Sequence, residues 1–261
     1  MRQAIVEVIG NLISYLSEVE QTDQVKNQID GFFDILEERF MDTNSYVRTK
    51  VLQIASSLCD LRVKFPKRRQ RLTELVIGRL SDKSFWTRKQ AIKTLIRMIE
   101  SHPYSMHGGE LDLEEWEVQY TEVTDELKAM ITKPSKRRAA MGENMDLDGP
   151  GPAGEDEQEE DKDIALPTDE ELLVLQSSKE YVTKTLQQRY YADAIRFIHL
   201  IHRSVPVMCE LLASTMKLEV IEAMEFFVTI HRYKVRVATV SLSLQYPTLR
   251  SNRLFSEYLT L

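Results

Sequence analysis

Five cations crowd into eight residues of this chain: Lys64, Lys67, Arg68, Arg69 and Arg71. Side chains of this type at this density can neutralise a phosphate backbone and release its counterions. They sit at the entrance of an amphipathic stretch that opens on Pro66, which suits a helix's first turn because its missing N–H has no intrahelical partner there. Positive charge at that end opposes the helix dipole, and a bound phosphate would relieve the cost. The five residues are therefore candidate DNA contacts. A second reading stays open beside it, a solvated face in which the cations pair with acids such as Glu37, Glu38 or Asp60.

Other residue patterns offer less chemistry. His199 and His202 are three apart on a helical stretch with Cys209 downstream, but a metal site would need further well-placed ligands. Their neighbours Phe197, Ile198, Leu200 and Ile201 point to packing instead. His107-Gly108-Gly109 reads as a turn after a helix, without a nucleophile to serve. There is no Gly-rich phosphate loop, nucleophile elbow or shielded carboxylate pair. No catalytic, cofactor-binding or metal-ligating residue is assigned, and no enzyme activity, cofactor or small-molecule substrate is expected. Cys59 and Cys209 lie in apolar helical patterns and read as core residues of a reducing compartment.

The elements that would position these residues repeat. The run Arg39 to Arg48 lies over Arg79 to Arg88, with Asp42 over Asp82, an aromatic over an aromatic and Arg48 over Arg88. Val51, Leu52, Ala55 and Leu58 then match Ala91, Ile92, Leu95 and Met98. A period near 40 carried by paired amphipathic helices predicts an all-α fold, an α-solenoid of HEAT-type hairpins that presents surface to other macromolecules. In such a turn the Asp can accept N–H bonds from the start of the next helix. The Arg six residues on can pair with a neighbouring turn's Asp, so Asp42, Arg48, Asp82 and Arg88 are expected to form a structural ladder.

Apolar spacing of three and four predicts helices over 4–16, 23–41, 45–63, 66–80, 85–100 and 113–131. Composition then changes. Between Pro134 and Pro167 stand ten acids and four bases, so this stretch supplies most of the net charge of −7. Its Gly149-Pro150-Gly151-Pro152 and acidic run predict a disordered insert over 133–167 that interrupts an array over 1–132. The array resumes over 168–234, opening on the capping box Thr168-Asp169-Glu170-Glu171. Within it, helices are expected over 190–204 and 206–213, followed by a strongly amphipathic one through Val220, Met224, Phe227 and His231. Residues 235–261 have neither helix caps nor hairpin signals, and are expected to be a non-native or disordered tail. No apolar run is long enough for a transmembrane helix, so no membrane partner is expected.

Several strings carry a more specific likeness: Glu7-Val8-Ile9-Gly10-Asn11-Leu12-Ile13, Tyr46 to Ile54, Gly78 to Ser84 and Glu222-Ala223-Met224-Glu225-Phe226-Phe227. Over about Met1 to Lys234 the chain resembles condensin complex subunit 1, the HEAT-repeat regulatory subunit of the chromosome-condensing complex. The resemblance implies a non-catalytic scaffold, working in the nucleus on mitotic chromosomes, with the kleisin subunit, the SMC ATPase subunits and DNA or chromatin as partners. Lys136-Arg137-Arg138 would suit part of a nuclear localisation signal. Members of the family are several times longer, so the chain reads as an internal portion beginning on the second helix of a repeat. The tail from Val235 matches nothing in the family and is expected to be translated intron. A rival of another class is a HEAT adaptor outside chromosomes, such as a nuclear-transport carrier or phosphatase scaffold. A carrier calls for an acidic inner groove along the array, whereas here the acid is gathered in the insert.

Overall fold

A computed structural model describes residues 1–20, 22–63, 65–132 and 178–236, apart from the side chain of His107. The described residues form eight α-helices and no strand: α1 Arg2–Glu18, α2 Asp23–Arg39, α3 Ser45–Leu58, α4 Pro66–Gly78, α5 Phe85–Glu100, α6 Leu113–Thr132, α7 Lys179–Leu212 and α8 Lys217–Arg232. The chain is an all-α solenoid. The acidic stretch, the capping box at Thr168 and the basic run Lys136 to Arg138 lie outside the described residues, as does most of the tail. The chain divides into two compact units, Met1–Trp116 with Asp193–Leu261, and Glu117–Ala192.

The first unit is a two-layer stack. One layer runs α1, α3, α5, α8, each packed on the next; the other holds α2 and α4, and each layer packs on its neighbour. The part of α7 from Asp193 onward joins the second layer: Gln70 Nε2 of α4 donates to Asp193 O at 3.0 Å, and Arg196 Nη1 donates back to Gln70 Oε1 at 3.3 Å. Apolar residues at three- and four-residue steps fill the space between layers, among them Phe33, Leu36, Val51, Leu52, Val76, Leu80, Ile92, Leu95, Phe197 and Phe226. At about 1.5–3 kcal/mol for each large side chain, their burial is the main force holding the layers together. Helix ends fall where capping chemistry places them. Thr22 Oγ1 accepts from Val25 N–H at the start of α2, Asn44 Oδ1 accepts from Tyr46 N–H at the start of α3, and Pro66 opens α4.

The stack steps over the middle of the sequence, because α5 packs directly against α8. The connection leaving α5 is tied down by His102. Its Nδ1 accepts from Tyr104 N–H at 3.2 Å, so Nε2 carries the proton and donates to Gly109 O at 3.1 Å. Gly109 has φ +83, a conformation that disfavours any residue with a Cβ. Around the imidazole stand Tyr104, Phe197 and Tyr233. Burial there pushes its pKa down to about 4.

The helix expected over 45–63 ends at Leu58, and two further helix ends differ from the sequence expectation. The break expected between 190–204 and 206–213 is absent, and α7 continues through Pro206. Proline removes one N–H···O bond and crowds the preceding turn. Here Ser204, Val205, Met208, Cys209 and Leu212 are all buried around it, so packing on both sides outweighs the lost bond. The end of α8 uses Lys234 at φ +54, with Lys234 N–H donating to His231 O and Val235 N–H to Ile230 O. This is a Schellman termination with buried Val235 closing on buried Ile230. The first residue of the segment set apart from Val235 onward thus completes α8, and Arg236 Nη2 reaches Asp112 Oδ2 at 2.9 Å.

In the second unit, α6 and the first part of α7 run antiparallel. Gln188 Nε2 donates to Thr124 Oγ1 at 2.8 Å, and Lys184 pairs with Glu126. Val123, Leu127 and Tyr191 are buried.

Candidate functional site

The basic cluster enters α4 beside the acidic face of α2. Arg68 Nε donates to Asp30 Oδ1 at 2.8 Å, and its Nη1 reaches Asp34 Oδ1 at 2.6 Å and Glu37 Oε1 at 3.1 Å. Its guanidinium also lies over the Phe33 ring, 5.8 Å from the centroid. Burial disfavours the charged form, but the three carboxylates outweigh it and raise the Arg68 pKa above its ordinary value. Arg71 pairs with Glu74 at 3.0 Å and with Glu37 at 3.6 Å. Arg68 and Arg71 are therefore compensated by carboxylates of α2 and by Glu74 of α4 itself.

Arg69 takes another path and is only 8% exposed. Its Nη2 donates to Met98 O at 2.7 Å and to Ser101 Oγ at 2.9 Å, which places a cation on the carbonyls that close α5. That is the favourable end of the α5 dipole for positive charge. Arg69 is thus a buried helix cap, turned away from any ligand at the surface. Lys67 is exposed, and Lys64 lies outside the described residues. Of the five cations, the structure brings Arg68 and Arg71 together on the α2 acids, sends Arg69 inward and leaves Lys67 outward.

The four repeat-turn residues build a chain of rungs beside the starts of α3, α5 and α8. Asp42 Oδ1 accepts Asn44 N–H at 2.9 Å, and Asp82 Oδ1 accepts Ser84 N–H at 2.9 Å. Arg48 grips its own turn through Asp42 O at 2.8 Å and reaches forward to Asp82 with Nε at 2.8 Å and Nη2 at 2.7 Å. Arg88 repeats the grip on Asp82 O at 2.8 Å, and its Nε meets Glu219 Oε1 of α8 at 2.6 Å. Behind them, Arg2 Nη1 donates to both oxygens of Asp42. Burial pushes the Asp82 carboxyl up, but the bonds from Arg48 and from Ser84 N–H outweigh it, so its pKa lies below the usual carboxylate value. The Arg48 pKa is raised by the same pair.

Glu219 is the rung acid that the forty-residue spacing does not find. Ser214 stands where Asp would precede α8: Met216 N–H donates to Ser214 Oγ at 3.2 Å, and Ser214 Oγ donates to Glu219 Oε2 at 2.7 Å. Hydroxyl and carboxylate together replace one aspartate. The sequence signal was a Ser two residues before the cap Met216 and an acid in the first turn of α8.

His199 and His202 lie with ring centroids 6.3 Å apart, and no group of three or more metal-ligating side chains is assembled among the described residues. Cys59 and Cys209 are free and buried, and burial pushes the Cys209 thiol up to about 11. No helix among the described residues is long and apolar enough to cross a membrane.

With ladder and cluster in place, the chain can be set beside known proteins. No family model matches it. Condensin complex subunit 1 of Saccharomyces cerevisiae is 32% identical over 257 residues, 91% of this chain, and its counterpart in Schizosaccharomyces pombe is 30% identical over 87% of the chain. The chain is a homologue of condensin complex subunit 1. Condensin-1 complex subunit CAP-D2 of Arabidopsis thaliana is 29% identical over 57% of the chain. The chain spans about a fifth of the length of the yeast condensin relatives, 21% and 20%. Among solved structures, an engineered protein aligns with 89% of this chain and 92% of its own at a TM-score of 0.28 and 16% identity, too weak a likeness to bear on the fold.

Proposed function

We propose that this chain is a scaffold portion of a condensin regulatory subunit, acting without catalysis in chromosome condensation in the nucleus. The observation that carries the reading is 32% identity with yeast condensin complex subunit 1 along 91% of the chain. In this role the stacked helices bind the kleisin subunit and an SMC ATPase head and help hold DNA, while the ATPase chemistry belongs to the SMC partners. The proposed array covers 1–132 and 168–234, with 133–167 as an insert.

For DNA, Lys64 and the exposed Lys67 and Arg71 are the proposed phosphate contacts. Arg68 and Arg69 act by fixing α4 against α2 and α5. The test is co-purification of the full chain with a kleisin fragment, joined to DNA binding measured across a salt series. The kleisin fragment is expected to be retained, and its absence would remove the condensin reading. Each phosphate left unneutralised when Lys64, Lys67 or Arg71 is changed to Ala should lower the slope of log affinity against log salt by about 0.9. An unchanged slope would remove the DNA role.

A further inference from the structure

We infer that the starts of α3, α5 and α8 form a docking edge for an extended acidic peptide carrying an apolar side chain at every third position. Each of these helices places a large apolar residue second: Tyr46, Trp86 and Leu218, which are 69%, 62% and 45% exposed. Met41 and Met216 stand exposed in the turns that lead into α3 and α8. With so much of their surface open to water, these side chains add little to the packing between the layers.

Their spacing is fixed from behind. Thr87 Oγ1 lies 3.1 Å from Thr49 Oγ1, which sets the start of α5 level with that of α3. Arg48 joins the turn before α3 to that before α5, and Arg88 joins the turn before α5 to the first turn of α8. Adjacent packed helices lie about 8–10 Å apart. A polyproline II segment has three residues per turn and rises about 9 Å over them, so it presents one side chain per helix on a single face.

Charge sets the rest of the peptide. In the turns 41–46, 81–86 and 213–218 the acids are Asp42 and Asp82, both buried in the ladder, whereas Lys83 and Lys217 are exposed. An edge that is apolar and basic favours acidic residues between the apolar ones. The aliphatic Leu218, Met41 and Met216 favour a peptide over bases, which would stack on aromatic faces.

The experiment titrates the full chain into a labelled peptide of repeated Asp-Glu-Leu triplets, a shuffled peptide of the same composition, and oligothymidine, read by fluorescence anisotropy. The triplet peptide should bind more tightly than the shuffled one. The Tyr46→Ala/Trp86→Ala/Leu218→Ala variant should weaken it roughly tenfold or more, as loss of buried anchors does. Lys83→Glu/Lys217→Glu should weaken it with the helical circular dichroism unchanged. Equal binding of the two peptides, or affinity untouched by both variants, would overturn the inference. So would oligothymidine binding through these residues in place of the peptide. If the triple variant does not fold, the charge reversal decides alone, and unchanged affinity overturns the inference.

Discussion

Acid acts on His102 and His202, whose pKa values are both lowered by burial, in one range and on Asp82 in a lower one. His102 is held neutral, its pKa pushed by burial from 6.5 to about 4, so the unfolded chain binds a proton there first. Protonation costs the fold on the order of 3 kcal/mol, a penalty absent above 6.5 that grows as pH falls toward 4. Asp82 lies below the ordinary carboxylate value, so its contribution is full above about 3.9 and goes only as pH falls through the lower folded value. Denaturant unfolding followed by circular dichroism from pH 7 downward should show a loss between 6.5 and 4, and His102→Gln should reduce it, leaving the share of His202. A profile that stays level between 6.5 and 4 would contradict the buried neutral imidazole. The sequence made Asp42, Arg48, Asp82 and Arg88 visible because each stands at a fixed distance from a helix start. It hid Glu219, where hydroxyl and carboxylate share one aspartate's work. Arg69 was legible in part: with Leu72, Thr73 and Val76 it falls on the buried face of α4, but its charge drew it into a cluster.

Helix against helix, α1 meets α3 closely at Gly10. A Cβ at Gly10 would stand 2.5 Å from Ile54 Cγ2, a methyl fixed to a branched carbon that cannot swing aside without a new rotamer. Gly10→Ala should therefore destabilise the chain by about 1–3 kcal/mol, although alanine favours helix, as seen by a lowered midpoint in urea. An unchanged or raised midpoint would show that the two helices have room to part. At this scale the reading from sequence went furthest. The expected 85–100 is α5, and 66–80 and 113–131 each come within two residues of α4 and α6. The failures are instructive. Pro206 looks like a boundary, but buried neighbours on either side carry α7 across it, and no local rule registers contacts made far along the chain.

For the whole molecule, the outward face of α1 stands out. Ile5, Val8, Leu12 and Tyr15 repeat at steps of three and four and are all exposed, beside a groove lined by Leu12, Leu16, Phe32 and Ile35. Apolar surface of this continuity promotes association. Light scattering on the isolated chain should give a mass that rises with concentration, and Val8→Glu with Leu12→Glu should hold it at one copy. A concentration-independent monomer would show this face to be inert. The direct packing of α5 on α8 bears on how this chain reaches its native state. In sequence, all of α6, the segment after it and α7 lie between two helices that touch, so among the contacts within the layer of α1, α3, α5 and α8 this one needs the longest loop to close. Closure entropy grows only logarithmically, each doubling of the loop adding about 0.6 kcal/mol, so the interposed chain can lengthen or shorten at little thermodynamic cost. Speed is another matter, since contacts between distant residues slow folding. The rungs from Arg2 to Asp82 can assemble as the chain is made, whereas the rung from Arg88 to Glu219 waits until α8 has been made. The packing of α5 on α8 is then the slowest step of this stack to form.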